Sequence, residues 1–297
     1  MEMPNSDNLV KKKKIVFSLL GSLAIVAFLV WLSLIYTRGA ENKLVVNFLD
    51  VGQGDAILIQ APKGEILIDG GPGRQVLEKL GEILPFSDRK IELIIMTHPD
   101  ADHINGLVEV LKNYQVDEVI ETGVTNDNKA YAEWQKLIKD KNIKDTIAKK
   151  GDKIDLGEGV ELNFMWPESN LAGQKIENTN NTSIVNFLDW GNMDVALTGD
   201  AETAVLDKIA EENSGIKIEI LKQAHHGSKN GVSQKFYETF KPDVSVISVG
   251  AKNRYGHPDQ DTLDILGKLG IKIYRTDEQG TIKAIIEQNS YKIETQK

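Results

Sequence analysis

Residues 91–107 read IELIIMTHPDADHINGL, from Ile91 to Leu107, and join an apolar run to a dense set of imidazoles and carboxylates. The IELIIM half is short and rich in branched aliphatics, which predicts a buried strand. The next stretch places four potential metal ligands, His98, Asp100, Asp102 and His103, on a tight loop. That loop opens a helix predicted from Asn105 to about Tyr114. A solvated capping turn accounts for one Asp but for neither His. Neutral imidazole beside carboxylate suits zinc, manganese or iron.

The same design recurs on both sides of this stretch. Leu44–Asp50, Asp55–Gln60 and Glu65–Asp69 read as strands separated by Gly and Pro turn signals. Helices are predicted over Gln75–Leu84, Lys129–Lys139, Ala201–Glu211, Ser233–Phe240 and Thr262–Leu269. Further strands are predicted at Val116–Glu121, Val160–Trp166, Ser183–Trp190, Met193–Thr198, Lys217–Leu221, Val244–Val249, Lys272–Arg275 and Thr281–Glu287. Strands interspersed with helices give an α/β body with sheets covered on their outer faces. Nothing in the chain marks a linker that would split this body. Asp200 ends the VALTGD run, His225 and His226 follow the strand at Lys217–Leu221, and His257 follows the strand at Val244–Val249. Every His of the chain therefore lies just beyond a predicted strand end, where layered α/β folds gather their sites.

The chain contains no Cys, which excludes a cysteine nucleophile, a thiolate zinc site and an iron–sulfur cluster. Lys11–Lys14 outnumber Glu2 and Asp7 within residues 1–36. The remainder is therefore two charges more negative than the −9 of the whole chain. Such an acidic body has no global attraction for polyanions, so nucleic-acid binding needs a local basic patch. Ile15–Tyr36 is uncharged and apolar. At 1.5 Å per residue it reaches roughly 33 Å, enough to cross a bilayer. With Lys11–Lys14 on its N-terminal side, the positive-inside rule leaves 1–14 as a cytoplasmic basic tail. Residues 15–36 are then a single-pass signal anchor in the cell membrane, and 37–297 an extracellular hydrolase domain. A cleaved signal peptide fits less well, because the apolar run exceeds an h-region.

Taken together, the motifs resemble the metallo-β-lactamase superfamily. HPDADH is similar to its HxHxDH signature, with Asp100 where the second His usually stands. DVGQGD (Asp50–Asp55), LIDGGPG (Leu67–Gly73), NNTS (Asn180–Ser183), LTGD (Leu197–Asp200), LKQAHHGS (Leu221–Ser228) and SVGAKNRYGHP (Ser248–Pro258) resemble one branch of it. That branch is the extracytoplasmic C-terminal domain of ComEC-type DNA-uptake proteins. The resemblance implies an αββα sandwich with two divalent metal ions, zinc or manganese, at one edge of its sheets. It implies that His98 and Asp100 hold one ion, that Asp102, His103 and His257 hold the other, and that Asp200 bridges them. Asp102 thereby shares in catalysis. His225 or His226 falls where phosphodiesterase members protonate the leaving oxygen or contact phosphate; either is also a candidate ligand. Asp69 is expected to orient a ligand His. Asn180 or Asn181 stands where the wider superfamily has a third ligand His, which makes Asn181 a candidate for the surrounding shell. Asp55 reads equally as a turn former or a functional group. Lys222, Lys229, Lys252 and Arg254 flank the site as candidates to hold phosphate oxygens.

The activity implied is metal-dependent hydrolysis of a phosphodiester. DNA is one candidate substrate. A choline-substituted cell-wall polymer is another, since a cell-wall phosphorylcholine esterase also resembles this branch. The rival from a different class is a non-catalytic, metal-stabilised partner of a DNA-uptake or envelope machine. ComEC proteins carry many spans where this chain has one, so a channel role does not follow from the domain match.

Overall fold

A computed structural model describes residue 17, residues 19–31 and residues 44–297. The chain divides into two compact units, Met1–Asn42 and Lys43–Lys297. In the first unit, residues 19–31 are helical and their side chains are exposed, Leu23 and Trp31 among them. Among the described residues no helix is long and apolar enough to cross a membrane. The rest of the predicted span and the basic tail lie outside the described residues.

The second unit is built on two sheets. The first sheet holds β1 (Leu44–Phe48), β2 (Ile57–Ala61), β3 (Gly64–Ile68), β4 (Lys90–Ile95), β5 (Gln115–Glu121), β6 (Lys144–Ile147), β14 (Ile282–Glu287) and β15 (Ser290–Thr295). Its strand order is β15-β14-β1-β2-β3-β4-β5-β6. The second holds β7 (Lys153–Gly157), β8 (Val160–Trp166), β9 (Val185–Trp190), β10 (Met193–Leu197), β11 (Ile220–Lys222), β12 (Val244–Ile247) and β13 (Lys272–Arg275). Its strands run in the order β13-β12-β11-β10-β9-β8-β7.

The IELIIM run has no polar face because both of its faces are covered. Leu93 and Ile95 point into the core between the sheets, with Phe48, Ile68, Leu162 and Val246. Ile94 and Met96 point outward, against helices Gln75–Ile83, Ala101–Asn113 and Lys129–Lys141. Helices Thr203–Glu212, Gln234–Phe240 and Gln260–Lys268 cover the outer face of the second sheet through Leu206, Phe236, Phe240 and Leu266. The result is the four-layer αββα sandwich.

Three strands escape prediction: β6 (KDTI), β7 (KIDLG) and β15 (SYKIET). All are sheet edges with mostly exposed or half-buried residues, so their periodicity is faint. The helix predicted from Asn105 begins at Ala101. Asp102 and His103 therefore sit in its first turn, which corrects their placement on a loop. The helix approaches the β3–Gln75 loop very closely. A methyl group on Gly106 would lie 1.7 Å from the Gly70 carbonyl oxygen. Gly106 N–H donates to Gly71 O, and Gly70 N–H donates to His103 O. No side chain fits between them.

Candidate metal centre

Strand direction collects the site. β3 and β4 are parallel, and so are β10, β11 and β12. Their C-terminal ends thus deliver Asp69, His98, Asp200, the His225–His226 pair and His257 to one region. β2 runs antiparallel to β3, with Ile57 opposite Ile68. Its N-terminal end therefore brings Asp55 to the same place. Asp55, which the sequence leaves equally a turn former or a functional group, precedes its strand where the other clustered residues follow theirs.

Three imidazoles converge. The His98 and His103 ring centroids are 4.1 Å apart, and those of His103 and His226 are 5.4 Å apart. Asp200 lies among them, its Oδ2 at 3.3 Å from His103 Nε2, 3.2 Å from His226 Nε2 and 3.9 Å from His225 Nε2. Asp102 Oδ2 is 3.4 Å from His226 Nε2, and Asp100 Oδ2 is 3.8 Å from His98 Nε2.

Asp69 sets which ring nitrogens carry protons. It accepts hydrogen bonds from Thr97 N–H (2.8 Å) and Thr97 Oγ1–H (2.7 Å). With its own proton so committed, Thr97 Oγ1 accepts from His98 Nδ1–H at 3.0 Å. Asp69 Oδ2 also lies 2.8 Å from His103 Nδ1. His226 Nδ1 faces the Ser248 carbonyl at 2.9 Å, and a carbonyl only accepts, so this nitrogen is the N–H. All three rings then present Nε2 to the cluster. The Nε2 atoms of His98, His103 and His226 and Asp200 Oδ1 are buried without hydrogen-bond partners. Buried polar atoms left unpaired cost free energy unless something satisfies them. Imidazole Nε2 and carboxylate oxygen within 4.8 Å of one another fit a divalent cation.

The electrostatics agree. Burial disfavours charge on both His103 and His226, but the neighbouring carboxylates outweigh it and raise both well above 6.5. For His103 these are Asp200 and Asp69; for His226 they are chiefly Asp200 and Asp55. Burial and the His103 charge push His98 down. Asp200 and Asp102 are desolvated, yet the imidazoles beside them hold both below the usual carboxylate range. The carboxylates thus favour a proton on His103 and His226, and a cation taking their Nε2 lone pairs competes with it. Metal affinity should rise with pH above 6.5, with proton release visible as a buffer-dependent heat on titration with Mn²⁺. The metal-free protein should behave oppositely. A raised imidazole pKa stabilises below its unfolded value, and that contribution is lost as pH climbs through the folded one. Thermal melts in EDTA across neutral to alkaline pH check the sign.

Several placements differ from expectation. The position beside Asp102 and His103 that resemblance assigns to His257 belongs to His226. His257 lies farther out, its ring 5.8 Å from that of His225 and its Nδ1 3.7 Å from Asp259 Oδ2. His225 is half-buried at the edge of the cluster. Asn181 bonds elsewhere: its carboxamide pairs with the Glu202 backbone N–H and side chain at the start of helix Thr203–Glu212. From the same segment it is Ser183 that touches the cluster, its Oγ lying 3.3 Å from His98 Nδ1 and accepting from Asp200 N–H. Asp100 accepts from Thr179 Oγ1 through Oδ1, which leaves Oδ2 facing His98. Lys229 and Arg254 are exposed, Lys229 three residues after His226 and Arg254 three residues before His257.

Lys222 is not a surface cation. It ends β11 on the side facing the other sheet and is fully buried. Its Nζ ion-pairs with Asp55, lies 3.5 Å from Asp200 Oδ1 and donates to Gly199 O at 2.8 Å. The five carboxylates 55, 69, 100, 102 and 200 and this ammonium leave four negative charges beside neutral imidazoles, which two divalent cations would balance. The backbone is strained here as well. Asp69, His225 and His226 all adopt positive φ, near 51–57°. Non-glycine residues take that conformation rarely, mostly at functional sites.

Residues 49–251 match the profile of the Metallo-beta-lactamase superfamily. ComE operon protein 3 of Bacillus subtilis is 32% identical over 257 residues, covering 80% of this chain and 32% of that protein. Recombination protein 2 of Haemophilus influenzae is 28% identical, covering 88% of this chain and 31% of that protein. The chain thus spans about a third of the length of these relatives. Among solved structures, the metallo-beta-lactamase fold protein YhfI of Bacillus subtilis superposes with a TM-score of 0.54 at 11% identity, covering 81% of this chain and 99% of that one. The chain belongs to the metallo-β-lactamase superfamily, in the branch that contains the ComEC-like competence proteins.

Proposed function

We propose that this protein is a membrane-anchored, outward-facing phosphodiesterase that hydrolyses a nucleic-acid backbone with two divalent cations. The observation that carries this reading is the convergence of three buried, unpartnered imidazole Nε2 atoms on Asp200. His98, Asp100, Asp102, His103, Asp200 and His226 would hold the cations. Bound there, the cations supply Lewis-acid activation of water and of the phosphoryl oxygens.

The chain's own residues divide the remaining work. Asp69 and Thr97 orient His98 and His103, and the Ser248 carbonyl orients His226. His225, half-buried and 3.9 Å from Asp200, would carry a proton to the leaving oxygen. Arg254 and Lys229 offer positive charge to phosphate in an otherwise acidic body. A nucleic-acid substrate accords with relatives named as competence and recombination proteins. The exposed apolar helix at residues 19–31, preceded by Lys11–Lys14, supports the anchor and its orientation.

The test uses the full chain in detergent, loaded with Mn²⁺ or Zn²⁺. Bis-p-nitrophenyl phosphate, p-nitrophenylphosphorylcholine and single-stranded DNA serve as substrates, with the Asp102→Ala variant as blank. Cleavage of the first and third that vanishes in the variant is expected. Preference for the choline ester would redirect the substrate to a wall polymer. Bound metal with no cleavage of any substrate would favour a non-catalytic partner role.

A further inference from the structure

A row of rings leads outward from the donor cluster. The His225 ring centroid is 6.2 Å from that of His226 and 5.8 Å from that of His257. His257 in turn stacks on Tyr255, at 5.8 Å and an interplanar angle of 11°. At the end of the row the Arg254 guanidinium lies over the Tyr255 ring, 5.0 Å from its centroid, and donates to Tyr255 Oη at 2.9 Å. Tyr255 is 53% exposed. Among the described large apolar side chains of the second unit only Phe86 and Leu269 are also exposed.

This loop is stiffened from within. Asn253 Oδ1 accepts from the backbone N–H groups of Tyr255 (3.1 Å) and His257 (3.0 Å). Its Nδ2 donates to the carbonyls of Gly250 (3.0 Å) and His257 (2.7 Å). One half-buried amide thus makes four bonds that hold an aromatic ring out in solvent. The loop holds this ring already ordered in solvent, where a planar ligand can meet it.

We propose that Tyr255 and Arg254 form a nucleotide subsite at the mouth of the metal centre. A base flanking the scissile phosphate stacks on the Tyr255–Arg254 pair, and the guanidinium also meets the backbone phosphate. Bases stack on aromatic rings and on guanidinium planes alike, with little regard to sequence. A quaternary ammonium such as choline would also seek the ring face, but there it meets the positive charge of Arg254. The pair therefore favours a neutral base carrying an anionic backbone over a cationic headgroup. This deepens the phosphodiesterase reading and rests on it.

The experiment separates the two. Binding of fluorescein-labelled oligothymidylate to the full chain in detergent is followed by anisotropy with Ca²⁺ present, for the parent protein and for Tyr255→Ala and Tyr255→Trp. Loss of one stacked base weakens binding roughly tenfold. Tyr255→Ala should lose that factor and Tyr255→Trp should keep the affinity. An abasic oligomer of the same length should bind the parent more weakly and fail to distinguish parent from Tyr255→Ala. Equal binding of thymidylate by parent and Tyr255→Ala would overturn the subsite. So would an equal loss on the abasic oligomer, absence of binding by the parent, or displacement by phosphorylcholine that depends on Tyr255. Cleavage of bis-p-nitrophenyl phosphate with Mn²⁺, measured separately, reports on the hydrolase reading alone.

Discussion

Replacing Lys222 by Met is expected to destabilise the metal-free protein by about 3–5 kcal/mol, the cost of breaking a buried ion pair by removing one partner. Lys222 is fully buried, and its ammonium faces Asp55 across the gap between the sheets and Asp200 at the end of the neighbouring strand β10. Burial alone would lower its pKa, yet the two carboxylates raise it, so the group is charged at every pH of interest. Removing it takes the ammonium partner from desolvated Asp55 and one of the positive groups beside Asp200, which keeps its imidazole neighbours. For a domain of this size the melting temperature in EDTA should fall on the order of 10 °C. The Asp55→Asn, Lys222→Met double variant should recover part of that loss, because no uncompensated charge of the pair remains. Divalent metal should narrow the gap as well, since it supplies positive charge to the same carboxylates. A single variant that melts like the parent in EDTA would show that Lys222 carries no such burden.

Asp200→Asn should abolish metal-dependent turnover, a loss on the order of 10³-fold or more, as expected when several kcal/mol of charge stabilisation disappear. Asp200 Oδ2 lies within 3.3 Å of two imidazole Nε2 atoms, and no other carboxylate of the cluster approaches both so closely. The amide keeps the shape, so the fold should survive, while the ligand charge is gone. Metal content by mass spectrometry and activity on bis-p-nitrophenyl phosphate are read on the same sample. Turnover and bound metal at parental levels would remove Asp200 from the centre.

Much of this centre is legible in the chain. IELIIM, VALTGD, LKQAHHGS and SVGAKNRYGHP each carry an apolar run into a polar tip, and parallel strands turn that pattern into spatial proximity. Asp69, His98, Asp102, His103, Asp200 and the His225–His226 pair all stand out as candidates in the sequence. The remainder depends on contacts between elements far apart in sequence. Asp55 enters through an antiparallel partner. Lys222 looks like any basic residue near a site until the two sheets close over it. Ser183 rather than Asn181 meets His98, because the segment between β8 and β9 turns Asn181 toward Glu202.

The chemistry of the site was set by the sequence itself. Alternation and strand-end placement are local properties, so the α/β body with covered sheets and the gathering of His and Asp at strand ends follow from them. The sandwich and the individual ligand roles follow from the family resemblance of the motifs. The division of labour among the histidines was decided by tertiary structure. His226 rather than His257 faces Asp102 because the Ser248 carbonyl, on a neighbouring strand's exit, holds its Nδ1–H and turns Nε2 inward. A tautomer is chosen by whichever partner the fold brings to the other ring nitrogen, and no local pattern encodes that partner.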